Sequence, residues 1–321
     1  MKIKLKTITP LHIGSGKELT PTEYLIENNY FHRINMNSLF SDPEFQHLME
    51  NFITLAENQR YIGELVPADL LKKHILYSLP ITGEAQTYLK DNKTIVKEFI
   101  KSAGKVFIPG SSLKGSILSA IFWDSLKKAY NSNIFWRVKR GREEIGVKEF
   151  ITECLRGRFS YDELLNFVFF QFAEGEIKNR FAHWLDVVDS ETKNPSDVLQ
   201  ISLAKVRGAK SGKELPILYE TIKPGIEFST EIKAKNTILK EKEILEIVDK
   251  FYRKVLGKDK NAISTDRKLL RLGQGSTAYA TSCLILVEEL GIKNYKVKPP
   301  LTRKRIDGVS PLGWLEIIFV E

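Results

Sequence analysis

Cysteine is scarce: Cys154 and Cys283 are the only two in 321 residues, too few for a disulfide framework or a cysteine-rich metal site. That scarcity points to a reducing cytoplasm. Long apolar runs are absent as well. A membrane helix needs roughly 18 such residues, and the longest aromatic-apolar run, Phe167–Phe170, falls far short. MKIKLKTITP at the start alternates basic and apolar side chains, so it lacks the unbroken apolar core of a secretion signal. The histidines (His12, His32, His47, His74 and His183) are scattered, with no H-E-x-x-H pair and no metal spacing. No Ser-His-Asp or Cys-His arrangement is legible, and no RNP1-type aromatic motif offers a platform for stacked bases.

Nucleotide motifs are missing too. In GSSLKGS, residues 110–116, Lys114 precedes Gly115, and no upstream glycine sits at the spacing of a Walker A loop. Gly273 and Gly275 form a G-x-G, but Ala278 stands where a dinucleotide fingerprint has its third glycine, and no acid follows at the required distance. Neither a nucleotide nor any other cofactor is expected.

What is present is positive charge. Lys plus Arg number 49 against 40 Asp plus Glu, a net +9 with a pI near 9.2. An anionic partner suits that balance, and nucleic acid is the commonest. Two stretches concentrate it. KVRGAKSGKELPILYETIKPG carries Lys205, Arg207, Lys210 and Lys213 between loosening glycines. It reads as an exposed loop or a mobile hairpin that orders on RNA or on a partner. KVKPPLTRKR carries Lys296, Lys298, Arg303, Lys304 and Arg305 with no acid among them. Together they suit a nucleic-acid track.

Periodicity supplies the elements. Ile3, Leu5 and Thr7 alternate with lysines, a half-buried strand. Tyr24–Ile26 and Tyr30–Ile34 read as a hairpin turning at Asn28-Asn29. Residues 36–103 read mostly as helix, one of them opening at Asp42-Pro43-Glu44, and 133–182 read as helical and strongly charged. Strands are expected at 183–188, 198–206, 228–234, 269–272 and 315–320, and helices after Gly110, over 238–256 and after Gly275. This order fits an α+β fold of two ferredoxin-like βαββαβ units with large helical insertions at about 36–103 and 133–182. The expected domains are 1–220 and 221–321.

Two segments share one design: strand, glycine turn, small hydroxyl residue, helix. They are VFIPGSSLKGSILSAIF (106–122) and RLGQGSTAYATSCLILVEEL (271–290). A helix N-terminus offers unpaired N–H groups and partial positive charge, and glycine lets a phosphate approach. A serine cap is the plainer explanation of one such loop. Two of them in a basic chain without an NTP motif favour a nucleic-acid backbone. His12, in an early loop, is the candidate general base if the chain cuts RNA.

The stretches TITPLHIGSGKELTPTEYLI, FIPGSSLKGSI, LGQGSTAYATS and PLGWLEI, spread from the first expected strand to the last, resemble the RAMP superfamily of CRISPR proteins. Within it, the similarity is greatest to the fifth subunits of type III-A Csm effector complexes. The resemblance implies tandem RRM-like folds and RNA binding without an NTP. It implies a non-catalytic subunit that holds the 3′ part of the CRISPR RNA, caps the backbone filament and takes part in CRISPR RNA maturation and antiviral defence. The implied partners are CRISPR RNA and neighbouring Csm backbone subunits, with target RNA and a host trimming nuclease as further candidates and no membrane. Gly110, Ser111, Ser112, Lys114 and Gly115 match the backbone-holding loop; Gly273, Gln274 and Gly275 match the family's glycine-rich loop, with Gln274 where an aromatic is often found. Glu23 stands nearest the position of the sibling backbone subunit's cutting Asp, which implies loss of cutting. The alternative is a RAMP endoribonuclease that processes CRISPR transcripts through His12, and a third reading is an assembly protein that touches only its neighbour subunit.

Overall fold

The computed structural model describes residues 1–132, 137–140, 143–169, 183–207, 214–235, 238–259, 263–295, 297–299, 304–308 and 310–320, with the backbone alone at 137–140, 143 and 207. The chain opens with β1 (Lys2–Thr7), β2 (Gly14–Leu19), β3 (Tyr24–Glu27) and β4 (Tyr30–Ile34). Four short helices follow, α1 (Met36–Phe40), α2 (Pro43–Gln46), α3 (Met49–Glu57) and α4 (Ala68–Lys72), then β5 (Ile75–Pro80) and α5 (Glu84–Asp91). β6 (Val96–Phe99), β7 (Lys101–Ser102) and β8 (Lys105–Val106) lead into the longest helix, α6 (Gly110–Asn131). Next come β9 (Arg137–Arg140), β10 (Glu143–Gly146), α7 (Val147–Arg156), α8 (Tyr161–Phe169), β11 (Leu185–Val187) and α9 (Pro195–Val198). β12 (Leu199–Arg207), β13 (Glu214–Ile222), β14 (Glu227–Ala234), α10 (Glu241–Leu256) and β15 (Lys268–Arg271) precede α11 (Ala278–Thr281) and α12 (Leu284–Leu290). β16 (Lys304–Ile306), β17 (Ser310–Pro311) and β18 (Trp314–Phe319) complete the described chain.

One sheet runs β11-β14-β1-β18-β15, every neighbouring pair antiparallel. Taken as β1, α6, β11, β14, α10 and β18, it reproduces the strand order of a ferredoxin-like βαββαβ unit, with β15 added at the edge. The alternation that marked β1 places Ile3, Leu5 and Thr7 in the core. The two crossover helices meet on that side: the Trp123 and Phe251 rings lie 5.7 Å apart, and the Tyr252 hydroxyl donates to the Ser116 carbonyl at 3.2 Å. The second sheet runs β17-β16-β12-β13-β6-β2 around the nine-residue strands of the β12–β13 hairpin. Both sheets take strands from either side of residue 220, and one hydrophobic core serves both.

The Asn28-Asn29 turn forms as expected, both residues at positive φ (50° and 64°), joining β3 to β4. Asp42 caps α2, its carboxylate accepting from the Glu44 N–H. The insertion at 36–103 is less helical than its sequence suggests. β5 pairs with β4, and β6 enters the second sheet between β2 and β13. α1 to α4 enclose a small core of their own around Leu39, Phe45, Phe52 and Leu71. β9 and β10 pair antiparallel where helix was expected, and the helix after Gly275 is broken into α11 and α12 at extended Ser282. Among the described residues no helix is long and apolar enough to cross a membrane.

Candidate functional site

The first glycine turn is fixed by the end of β11 and the residues just after it. Gly110 donates its N–H to Asp189 Oδ1 at 2.7 Å, and a Cβ there would lie 2.3 Å from the Val187 carbonyl oxygen. Asp189 therefore satisfies the helix start, a role that neither Ser111 nor Ser112 fills. Ser111 and Gly115 are exposed, and Ser112 and Lys114 are half-buried. A Cβ at Gly115 would meet nothing within 4 Å. Partial burial lowers the pKa of the Lys114 ammonium; Asp186 counters this and Lys235 adds to it. Asp186 itself is ion-paired with Lys235.

The second glycine turn interlocks with two distant segments. Gly273 (φ +69°) lies where a Cβ would be 2.1 Å from the His12 carbonyl oxygen, and Gly275 where one would be 1.9 Å from that of Leu312. Gly313 (φ +84°) approaches the Leu272 carbonyl in the same way, at 2.1 Å. Backbone bonds lock the arrangement: Gln274 N–H to the His12 carbonyl at 2.9 Å and Leu272 N–H to the Gly313 carbonyl at 2.8 Å. Side chains larger than hydrogen do not fit at such approaches. The two glycine turns, some 160 residues apart in sequence, come together where Ser116 Oγ donates to the Arg271 carbonyl at 3.1 Å.

Lys304 borders this loop. Its Nζ donates to Gln274 Oε1 at 2.9 Å and to the Tyr219 hydroxyl at 3.0 Å, and lies 5.5 Å from the Tyr219 ring centre. His12 packs behind, its ring 4.5 Å from that of Tyr219 and only 2% exposed. Its Nδ1 stands 2.7 Å from the Glu220 carbonyl oxygen. A carbonyl only accepts, so Nδ1 carries the proton. Burial pushes the His12 pKa down to about 4, against the pull of that hydrogen bond and reinforced by Lys304, Lys101 and Lys97. The imidazole is neutral at pH 7, and the backbone of His12, not its ring, touches the glycine loop.

Beneath lies charge that sequence reasoning missed. Glu220, fully buried, accepts from Lys101 Nζ at 2.6 Å, from the Tyr77 hydroxyl at 2.7 Å and from the Phe99 N–H at 2.9 Å. Burial, then the Glu220 charge, raises the Tyr77 pKa far above its ordinary value. Arg271 pairs with Asp259 at 2.9 Å, both side chains buried. The guanidinium lies 4.9 Å from the Trp314 ring centre and donates to the Leu312 carbonyl at 3.2 Å. The signal for Glu220 is a lone acid in the apolar run ILYETI; Arg271 and Asp259 carry no comparable mark.

The remaining candidates lie along β12 and β16. Lys205 pairs with Glu84 at 2.5 Å and Glu214 at 3.7 Å, and sits across from half-buried Arg305 on the neighbouring strand. Arg207 continues β12, so Lys205 and Arg207 are strand residues; Lys210 and Arg303 lie outside the described residues. Glu23 is apart from both glycine turns. Its carboxylate accepts from Arg33 at 2.8 Å and from the Thr20 N–H at 2.8 Å.

A βαββαβ sheet whose first helix starts at one glycine turn, set against a second glycine turn near its last strands, defines a ferredoxin-like α+β protein. The family description "RAMP superfamily" matches residues 4–274, and the chain belongs to that superfamily. It is 30% identical over 134 residues to the CRISPR system Cms protein Csm5 of Methanocaldococcus jannaschii, 40% of this chain and 32% of that one. It is 29% identical over 169 residues to the protein of the same name from Streptococcus thermophilus, 44% of this chain and 47% of that one. The matched stretches thus span about a third to a half of these curated relatives. In fold, 99% of the chain matches 100% of a chain in a cryo-EM structure of a Csm-crRNA-target RNA ternary complex in a type III-A CRISPR-Cas system, with TM-score 0.75 and 23% identity. The crystal structure of T. onnurineus Csm5 matches over 98% of this chain and 100% of its own, with TM-score 0.69 and 24% identity.

Proposed function

We propose that the chain is a non-catalytic, RNA-binding subunit of a type III-A CRISPR effector complex in the cytoplasm. It holds the 3′ part of the CRISPR RNA, caps the filament of backbone subunits and serves CRISPR RNA maturation. Its partners are the CRISPR RNA, neighbouring Csm subunits and, in the assembled complex, target RNA and a trimming nuclease. The observation that carries this reading is the meeting of two glycine turns through Ser116 and Arg271, with Lys114 and Lys304 beside them. Such a surface contacts phosphates, which position RNA without reading its sequence and so accept any guide.

Two features support the absence of cutting. The Glu23 carboxylate is engaged by Arg33 and Thr20, and the ring of His12 is closed off from solvent. The purified chain should shift single-stranded CRISPR RNA in a gel with a steep salt dependence, and leave it uncut with or without divalent metal. Lys114→Ala should weaken binding and flatten the salt slope by about 0.7 for one lost phosphate contact. Cleavage that vanishes in His12→Ala or Glu23→Ala would establish the endoribonuclease instead. Normal RNA binding by Lys114→Ala, with loss of a neighbour subunit, would make the loop a protein contact.

A further inference from the structure

We propose that Gln274 and Lys304 form a donor-only pair that grips a phosphodiester oxygen of single-stranded RNA, and that the glycines around Gln274 serve to present its side chain. The inference rests on the RNA-binding reading above and narrows it to one contact and one ligand group.

The loop's own backbone is largely occupied. Leu272, Gln274 and Ser276 donate their N–H groups to the carbonyls of Gly313, His12 and Gly273, at 2.8, 2.9 and 3.0 Å. The tight approaches at Gly273 and Gly275 are to carbonyl oxygens of the chain itself. These glycines close the loop onto residues 12 and 312, and a phosphate cradle of N–H groups is not what they build.

What the loop does offer is the Gln274 side chain, which is exposed. Lys304 Nζ donates to its Oε1 at 2.9 Å. An ammonium has only protons to give, so the amide must turn its oxygen toward Lys304 and its NH2 outward. Lys304 is steadied by a second bond, to the hydroxyl of Tyr219, whose ring is buried against His12. An ammonium carries three protons, and two of them are engaged among the described residues, so a third remains for a ligand. The pair therefore presents one positive charge and the amide's two N–H donors, and its acceptor is turned inward. A ligand that fits must bring acceptors and negative charge, which a phosphodiester oxygen does.

The test uses the full-length chain with fluorescent single-stranded oligo-A, oligo-C and oligo-U, read by anisotropy over a salt series. Gln274→Glu keeps the shape, but places a carboxylate on Lys304 and against the phosphate. It should weaken binding of all three RNAs by about tenfold or more, and flatten the salt slope by about 0.7. Gln274→Leu removes the amide and keeps the ammonium, so its loss should be smaller and its slope unchanged. Melting temperatures should stay at the wild-type value because the side chain is exposed. Unaltered binding by Gln274→Glu, or a loss with the wild-type slope, overturns the pair as a phosphate grip. A loss confined to one oligonucleotide would make the ligand a base edge and overturn it equally. If the wild-type chain itself binds none of the RNAs, the RNA-binding reading falls; if it binds and Gln274→Glu matches it, only the present inference does.

Discussion

Gly115 is the residue whose replacement separates folding from function most cleanly. It is the sixth residue of a 22-residue helix, exposed, with open space where its Cβ would be. Among the described residues nothing requires glycine there. In a helix interior glycine is less favourable than alanine by about 1 kcal/mol. Gly115→Ala should therefore stabilise the free chain by up to about that amount and raise its melting temperature by roughly 2 °C for a chain of this size. If an RNA backbone rides against this turn, the same methyl group intrudes on it, and affinity for RNA should fall several-fold. Calorimetry of the free protein and filter binding with CRISPR RNA read the two effects separately. Gly110→Ala is the control from the same motif. Its methyl would lie 2.3 Å from the Val187 carbonyl oxygen, an overlap that costs about 1–3 kcal/mol. A Gly115→Ala protein that is more stable and binds RNA as before would refute the reasoning that this glycine makes room for RNA. One that is less stable would refute the account of the helix.

Two further outcomes follow from buried charge. The native His12 pKa of about 4 lies below the ordinary 6.5, so the unfolded chain takes up a proton first as pH falls. His12 thus leaves stability intact above pH 6.5 and erodes it between 6.5 and 4, by up to about 1.4 kcal/mol per pH unit. His12→Gln, which keeps a donor for the Glu220 carbonyl, should show a shallower fall in melting temperature from pH 7 to 4.5, and parallel curves would contradict this. Arg271→Leu removes the guanidinium from the buried Asp259 carboxylate, which keeps the Trp314 indole N–H as a donor at 3.2 Å, and should cost about 3–5 kcal/mol in urea unfolding. Adding Asp259→Leu removes the charge too and should recover part of that, less the cost of the Trp314 indole N–H losing its acceptor; no recovery would count against the buried charge as the cause.

Much of the fold was legible because local pattern and burial agreed. The strict alternation at Ile3, Leu5 and Thr7 states one periodicity, and all three are buried. The paired asparagines make the β3–β4 turn at positive φ, and the helix expected over 238–256 forms as α10 with Ile244, Ile247, Val248, Phe251 and Val255 buried. The misread segments are those whose conformation is set by a distant partner. β6 is four residues long with only Val96 and Phe99 buried, a pattern that also suits a helix turn; its pairing with β2 and β13 decides it. At the break between α11 and α12 the Cys283 N–H donates to the hydroxyl of Tyr295 and the Leu284 N–H to that of Ser282, the first of them a partner twelve residues on. At the site, the sequence singled out both glycine turns, Lys304 and His12. It could not show that Asp189 would satisfy the Gly110 N–H, or that the 273–275 glycines answer to carbonyls of residues 12 and 312. Those requirements exist only once the chain has brought remote segments together.

The place of β18 has a consequence for synthesis. The strand at 314–319 lies directly beside β1, with Ile3 opposite Phe319 and Leu5 opposite Ile317. As the polypeptide leaves the ribosome, β1 emerges about three hundred residues ahead of β18, and that flank stays uncovered until β18 follows. Pairings of such long sequence separation form slowly. Until then one edge of β1, with Ile3 and Leu5 on its apolar face, is open to other chains. A nascent chain stalled before residue 314 should therefore be aggregation-prone and a client for chaperones, even with most of its residues already made.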